Sequence, residues 1–301
     1  MNIVDLTQIQ KRPIFVIGAP RTGTSWIAKT ISMAHCIRYV REPIFQGKPE
    51  GFDEKMNFIY LKSDDDYQEY ERVWRTALSL KFWFSNRWLL IESSWWLRRF
   101  PFLPARLLVK EVNCILAVEL ISKLFNPYVI ITIRRPCGYV ASGMRLLKKG
   151  HPVVELKQLI SQNSVFQEYS SLDQKWLLSL DDPISQMAAA YGMVYKVIAN
   201  QMIKYPQWII LNHDYFCHNP KARFIDLFGI LDVNYSKQVD EFLDKVCSVS
   251  DGQLYSVQRK SADENIKWKS ELNKTQIEIV KTIWFRLKLP FYQDSIWWEI
   301  E

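Results

Sequence analysis

Short apolar runs rich in β-branched residues alternate along this chain with longer segments of helical periodicity. The apolar runs predict strands at 14–18, 37–40, 107–110, 129–133 and 208–211. The helical pattern covers 24–35, 114–125, 138–149, 185–204, 220–231, 236–247 and 273–288. Buried strands that alternate with helices are typical of a parallel sheet covered on both faces. The pattern therefore predicts an α/β fold, with a central parallel sheet and flanking helices.

Two stretches, 52–103 and 150–182, have no clear place in this alternation. Ligands of open α/β sheets bind at the carboxyl ends of the strands, and insertions there shape specificity. We therefore expect both stretches to lie over the mouth of the sheet. No internal repeat and no linker-like composition divides the chain, so a single domain over 1–301 is predicted.

Composition excludes several classes of protein. With 301 residues, 48% of them apolar and 24% charged, the chain is not broadly disordered. The net charge of +7 favours anionic ligands, but no dense Lys/Arg block indicates nucleic acid. The five cysteines stand singly without a CxxC pair, which favours a reduced, cytoplasmic chain without a Cys-rich zinc site.

Neither a signal peptide nor a transmembrane helix is predicted, because no apolar run is long enough. Tryptophan is unusually frequent, at 12 residues. A non-catalytic module that binds a nucleotide or a membrane surface therefore stays open. Its interfacial anchors would be Trp95, Trp96, Trp297 and Trp298.

The strongest local signal is the segment RPIFVIGAPRTGTSWIAKTIS. A hydrophobic strand runs into a tight loop, and a helix follows the loop. Gly18 and Gly23 permit unusual backbone angles, and Thr24 and Ser25 begin the helix with hydroxyl groups. The exposed N–H groups and the positive end of the helix dipole predict an anion site, to which Arg21 adds a cation.

This loop departs from the Walker A motif at its decisive position. Thr24 stands where GxxxxGK[ST] requires lysine, and the strand at 129–133 ends in Arg134 and Arg135 rather than in a metal-binding aspartate. A magnesium-dependent P-loop kinase is therefore the weaker alternative. No metal site is predicted.

GAPRTGTSW resembles the 5′-phosphosulfate-binding loop of sulfotransferases that use 3′-phosphoadenosine 5′-phosphosulfate (PAPS). The resemblance, closest in motif to bacterial and Golgi carbohydrate-type members, implies a P-loop-like sulfotransferase fold. It implies that Arg21 meets the transferring sulfuryl oxygens and that Trp26 stacks on adenine. The 5′-phosphate would be wrapped by Thr22, Gly23, Thr24 and Ser25.

A second match is NPYVIITIRRPCGYVASGMR, in which Arg134 and Ser142 have the family's eight-residue spacing. Arg134 at the end of a strand and Ser142 in the next helix can converge on one dianion, and an arginine fork suits a phosphate monoester. Arg135 replaces the usual Asp or Asn. Farther along, His213 replaces the tyrosine of the adenine-binding turn. The late segment SVQRKSADENIKWKSEL is similar to the region that closes over the 3′-phosphate, through Arg259, Lys260 and Ser261.

The general base is not where cytosolic sulfotransferases have it. In LLVKEV, Lys110 is retained, but Val112 occupies the position of the family's histidine. Glu42, in YVREPIF, matches a Tyr-Glu-Pro of Golgi carbohydrate sulfotransferases and is the predicted base. Glu111 is the reserve candidate, ahead of His35 and His151.

The resemblance implies transfer of a sulfuryl group from PAPS to an acceptor hydroxyl by in-line displacement, with 3′-phosphoadenosine 5′-phosphate (PAP) as the second product. The Glu-Pro match favours a saccharide acceptor. The Trp/Arg-rich segment 81–106 leaves a lipid or natural-product hydroxyl open. The oligomeric state is not predicted.

Overall fold

The computed structural model describes residues 12–61, 67–86, 105–168, 174–248 and 261–299. Its centre is a sheet of five parallel strands in the order β2-β3-β1-β4-β5. The strands are β1 (Ile14–Gly18), β2 (Ile37–Arg41), β3 (Arg106–Glu111), β4 (Tyr128–Ile133) and β5 (Ile209–Asn212). The prediction of an α/β fold around a parallel sheet is confirmed, and each predicted strand matches within one residue at either end.

Strand β1 lies at the middle of the sheet, between β3 and β4, and all five of its residues are buried. From β1 the chain leaves towards β2, and from β4 it leaves in the opposite direction towards β5. Two neighbouring strands whose connections diverge open a crevice at their carboxyl ends, where ligands of such sheets bind. The strand order therefore places the loops after β1 and β4 at the expected binding edge.

Fifteen helices are described. They are α1 (Thr24–Ser32), α2 (Gln68–Ala77), α3 (Leu80–Ser85), α4 (Val118–Phe125), α5 (Pro136–Lys148), α6 (Leu156–Gln162), α7 (Val165–Glu168), α8 (Gln174–Leu178), α9 (Pro183–Lys204), α10 (His213–His218), α11 (Pro220–Ile230), α12 (Lys237–Ser248), α13 (Ser261–Ile266), α14 (Trp268–Glu271) and α15 (Lys274–Arg286). Short 3₁₀ turns occur at Glu54–Met56, Ile115–Ala117 and Ser295–Trp297.

All seven predicted helices are present, with their ends shifted by a few residues. The segment predicted as one helix at 114–125 begins with a 3₁₀ turn before α4. The helices that the pattern missed have ten residues or fewer, so they complete too few turns to show a clear period. One of them, α10, is set by a local cap, because the Asn212 side chain accepts hydrogen bonds from the backbone N–H groups of Asp214 and Tyr215.

The sheet separates two apolar cores. Helix α9 is buried along most of its length and packs on α5 and α15, on one side of the sheet. On the other side, α1 packs on β2, β3 and α12. Because both faces are covered by apolar packing, polar chemistry is concentrated at the edge where the strands end.

No helix within the described ranges is long and apolar enough to cross a membrane. Trp298 is buried, and its indole N–H donates to the carbonyl of Tyr292 at 3.0 Å. Trp297 is half-buried beside Tyr215 and Tyr292. These two predicted membrane anchors are therefore used in packing within the chain, whereas Trp95 and Trp96 lie outside the described residues.

Candidate active site

A cavity of about 790 Å³ opens at the carboxyl edge of the sheet. Each of the five strands contributes a polar residue to its wall, at the end of the strand or shortly after it. These residues are Arg21 after β1, Glu42 after β2, Lys110 in β3, Arg134 after β4 and His213 after β5. The cavity therefore gathers most of the side chains for which the sequence predicted binding or catalysis.

Two glycines allow the loop after β1 to lie close to its neighbours. A Cβ atom on Gly18 would lie 2.2 Å from the hydroxyl of Thr132, in β4. Gly23 has φ +92°, and its Cβ atom would lie 2.2 Å from the His213 ring. At both positions a larger residue would force backbone or neighbouring side chains to move.

The Thr22 side chain does not lie where the predicted phosphate contact would need it. Its side chain is fully buried, donates to the carbonyl of Ala19 at 2.7 Å and hydrogen-bonds the Thr132 hydroxyl at 2.7 Å. Thr22 does not line the cavity, because this hydroxyl ties the loop to β4 instead. Thr24 and Ser25, at the start of α1, do line it.

Arg21 contacts both Ser142 and Arg134, the two residues that the sequence predicted to converge on one phosphate. Arg21 Nε donates to Ser142 Oγ at 3.1 Å, although the two residues are 121 positions apart. Arg134 Nη1 donates to the Arg21 carbonyl at 3.4 Å. The Tyr191 hydroxyl holds the backbone of Arg134 by donating to its carbonyl and accepting from its N–H, at 2.7 and 2.9 Å. The end of β4 is thereby fixed against helix α9.

The Arg134 guanidinium also contacts an acidic residue that the sequence analysis did not single out. Arg134 Nη2 lies 3.1 Å from the backbone carbonyl of Glu264 and 3.4 Å from its carboxylate. Both side chains are buried and both line the cavity. No local signal distinguishes Glu264, because its partner lies 130 residues earlier in the chain.

Trp26 combines packing with access to the cavity. Its ring meets Phe224 and His213 edge to face, with centroids 5.4 and 5.8 Å apart, and it also contributes to the cavity wall. His213 stands between the Gly23 backbone and Cys217, whose sulfur lies 3.6 Å from the imidazole nitrogens. His213 therefore lines the cavity beside the loop that follows β1.

Glu42 and Lys110 form a buried ion pair at another part of the wall. The second carboxylate oxygen of Glu42 accepts from the side chain of Gln46. Glu42 has φ +47°, and its N–H donates to the Lys110 carbonyl at 2.7 Å, which continues the contact of β2 with β3. The sequence predicted both charged residues, but their pairing follows from the adjacency of the two strands.

Glu111, the reserve candidate for the base, does not line the cavity. Its carboxylate accepts from the backbone N–H groups of Ile44, Phe45 and Val112 at 3.1, 3.3 and 3.0 Å. Burial, followed by the proximity of Glu42, raises the pKa of Glu111 to about 7. Glu111 therefore holds the turn that follows Glu42.

Arg135, the departure from the family pattern after β4, points into a separate cluster. Its guanidinium lies over the rings of Trp268 and Trp297, 5.2 and 5.0 Å from their centroids. Its backbone N–H donates to Asp214 at 2.8 Å, and the Tyr292 hydroxyl donates to the same carboxylate oxygen at 2.8 Å. Arg135 thus joins the chain's last turns to the sheet without lining the cavity.

Beyond Glu42, the cavity reaches into parts of the two segments that lacked a place in the sequence pattern. Apolar side chains from α5, α6 and α9, together with Val112 just after β3, form its inner wall, and amide and charged side chains lie nearer to solvent. The apolar set includes Val112, Tyr139, Leu146, Leu159 and Met187. The polar set includes Gln46, Lys55, Asn57, Gln158 and Gln162.

Part of the predicted site is not described. Arg259 and Lys260 lie outside the described residues, as does most of 81–106. Ser261 begins α13. His35 is exposed, and His151 does not line the cavity. Within the described ranges, no three His, Cys, Asp or Glu side chains are grouped as a metal site.

No family model matches this chain, and no curated protein matches it. Solved structures resemble it over most of its length at low identity. A sulfotransferase from Alicyclobacillus acidocaldarius is 13% identical, with 97% of this chain and 100% of that chain covered and a TM-score of 0.49. A sulfotransferase domain of the Synechococcus olefin synthase is 12% identical, with 92% and 96% covered and a TM-score of 0.49. A sulfotransferase domain of the curacin biosynthetic pathway is 13% identical, with 93% and 99% covered and a TM-score of 0.48. At these values the likeness carries no conclusion about the activity of this chain.

Proposed function

We propose that this chain is a sulfotransferase that moves a sulfuryl group from PAPS to an acceptor hydroxyl. The observation that carries the proposal is one cavity with two chemically different parts. One part has Arg21 and Arg134 beside the start of α1, with the buried Ser142 hydroxyl behind Arg21, and the other has the Glu42–Lys110 pair. A cationic, hydroxyl-rich cluster suits an anionic donor, and a carboxylate suits removal of a hydroxyl proton.

The donor side fits a nucleotide with two anionic groups. PAPS supplies the sulfuryl group, which is bonded to the 5′-phosphate as its leaving group. Gly23, Thr24 and Ser25 would hold the 5′-phosphate at the start of α1, where backbone N–H groups and the helix dipole favour an anion. Arg134 and Ser142 would hold the 3′-phosphate, and Arg21 would face the sulfuryl oxygens. Closure by Arg259, Lys260 and Ser261 remains a prediction.

On the acceptor side, Glu42 is the proposed base. As the new oxygen–sulfur bond forms and the bond to the 5′-phosphate breaks, the hydroxyl proton passes to the Glu42 carboxylate. Lys110 and Gln46 each hold one of its oxygens, so the carboxylate is oriented before the acceptor arrives. The proximity of Lys110 to this centre also suits the stabilisation of negative charge.

Two acceptor classes follow from different observations. The Glu-Pro resemblance favours a saccharide hydroxyl, and the amides near the rim suit hydrogen bonds to a sugar. The buried Val112, Leu159 and Met187 favour the second class, an apolar lipid or natural product that carries one hydroxyl. A transfer screen with labelled PAPS over saccharides, phenols and lipid alcohols, read by mass spectrometry, separates the two classes.

Calorimetry with PAP tests the donor assignment. PAP should bind without Mg²⁺ in the micromolar range, about −8 kcal/mol. Arg134→Ala should weaken binding by about 1.5–3 kcal/mol, because a charged hydrogen-bond partner of the phosphate is lost. Arg145→Ala is the matched control, since Arg145 pairs with Glu271 and does not line the cavity.

ATP with Mg²⁺ is the comparison ligand in the same experiment. Tighter binding of ATP–Mg²⁺ than of PAP would overturn the assignment in favour of the kinase alternative. Equal losses in the Arg134 and Arg145 variants would show that Arg134 acts through folding alone.

A further inference from the structure

The cation proposed for the 3′-phosphate is already in contact with a carboxylate of the same chain. Arg134 Nη2 reaches both the backbone carbonyl and the side chain of Glu264, at 3.1 and 3.4 Å. Glu264 is 8% exposed and Arg134 is 6% exposed, so this ion pair is buried. Both residues line the cavity, which puts the carboxylate on the nucleotide side.

A phosphate dianion and the Glu264 carboxylate cannot both lie against this guanidinium without strong repulsion. Like charges a few ångströms apart interact strongly where water is excluded. Binding of a phosphate at Arg134 therefore favours withdrawal of the carboxylate from the guanidinium. This withdrawal costs free energy that is subtracted from the affinity for the nucleotide.

The surroundings of Glu264 provide a second partner for the withdrawn side chain. Lys267 lies one helical turn later, with its ammonium group 3.7 Å from the other carboxylate oxygen. Lys267 is partly exposed, so a pair with Lys267 alone would lie nearer to solvent. The carboxylate can thus leave Arg134 and keep Lys267 as its partner, without becoming an unpaired buried charge.

We propose that Glu264 is a built-in competitor for Arg134, which lowers the affinity of the site for 3′-phosphorylated nucleotides and speeds the release of PAP. The inference rests on the proposed function, because it takes Arg134 as the ligand of the 3′-phosphate. It assigns to Glu264 a binding role that acts through Arg134, without contact with the reacting atoms.

Binding of two nucleotides to matched variants tests the proposal. In Glu264→Gln the side chain keeps its size and loses its charge, so PAP should bind about 10-fold more tightly. Adenosine 5′-monophosphate lacks the 3′-phosphate, and its affinity should be unchanged. Glu271→Gln is the control, because Glu271 pairs with Arg145 and does not line the cavity. It should leave the affinity for both nucleotides unchanged.

The melting temperature of each variant without ligand separates a change in stability from a change in nucleotide affinity. Glu264→Gln should lower the Tm of the free protein, since Arg134 loses its buried partner, and should increase the shift in Tm that PAP produces. Glu264→Asp retracts the carboxylate by one methylene and should give an intermediate gain in PAP affinity, even if the glutamine variant folds poorly.

The outcomes separate the two proposals. PAP binding by the wild type with no gain in either Glu264 variant would overturn the competitor role alone. An equal gain for PAP and adenosine 5′-monophosphate would also overturn it, because the effect would then not depend on the 3′-phosphate. If no variant binds PAP, and Arg134→Ala does not change the binding of inorganic pyrophosphate, the proposed function fails together with this inference.

Discussion

Glu42 and Glu111 lie close together at the ends of neighbouring strands, yet their surroundings differ. Glu42 lines the cavity and is held by Lys110 and Gln46. Glu111 is 1% exposed, does not line the cavity and accepts three backbone hydrogen bonds. At the residue scale, these contacts favour Glu42 for the proposed proton transfer. Glu111 instead holds the turn that follows Glu42.

Glu42→Gln should lower kcat by ~10²–10⁴, the usual contribution of a general base. The substitution keeps the shape of the side chain and removes its capacity to take a proton. PAP affinity, measured by calorimetry, should stay within about twofold of the wild type, because Glu42 is assigned to the acceptor side. A variant with near-normal kcat on the true acceptor would place the base elsewhere and would weaken the case for a saccharide.

The raised pKa of Glu111 predicts that the stability of the fold depends on pH. Its pKa in the folded protein, about 7, lies above the ordinary value of 4.5. The stability that this carboxyl contributes is therefore fully present below about pH 4.5 and is lost as the pH rises through 7. Urea unfolding from pH 4.5 to 8 should show the wild type losing on the order of 2–3 kcal/mol relative to Glu111→Gln. Parallel profiles of the two proteins would contradict this assignment.

At the scale of the element, the loop after β1 depends on the backbone as well as on its side chains. Gly23 begins α1 with φ +92° and contacts His213, whereas Gly150 follows α5 with φ +75° and has nothing within 4 Å of an added Cβ. The two glycines thus share a left-handed backbone, and only Gly23 also has a close neighbour.

Gly150→Ala should cost about 1–2 kcal/mol of unfolding free energy, the penalty for a side chain at positive φ. Gly23→Ala should cost more, because His213 must also move away from the new methyl group. It should in addition reduce PAP affinity, since both partners line the cavity. Urea unfolding and calorimetry on the two variants check this, and equal losses of stability with unchanged PAP binding would show that the contact with His213 has no role.

At the scale of the whole molecule, the buried ion pairs of the described residues lie at one edge of the sheet. Among the described residues, three ion pairs have both side chains no more than 10% exposed. They are Lys110–Glu42, Arg134–Glu264 and Arg135–Asp214. In a buried ion pair, the cost of removing both charges from water offsets much of their attraction. Such pairs therefore contribute little to stability compared with apolar packing. Two of the three line the cavity, where the proposed nucleotide binding and proton transfer would give buried charge a use.

The local sequence determined the strands, the long helices and the loop after β1. Each of these depends on neighbouring residues: an apolar run, a helical period, or a glycine next to hydroxyl groups. The motifs also predicted that Arg134, at the end of a strand, and Ser142, in the helix that follows, face one ligand, and this stays a prediction. The turn that follows Glu42 and the short helix α10 show neither an apolar run nor a helical period in the sequence.

Tertiary structure alone decided which charges are paired. Glu42 meets Lys110 across 68 positions because β2 lies beside β3, and Arg134 meets Glu264 across 130 positions. The same packing turned Glu111 away from the cavity and Thr22 towards β4. A side chain's neighbours depend on distant segments, whereas its tendency to form a strand or a helix is largely local. For this reason the sequence could name candidate residues for the site, and only the fold assigned their partners.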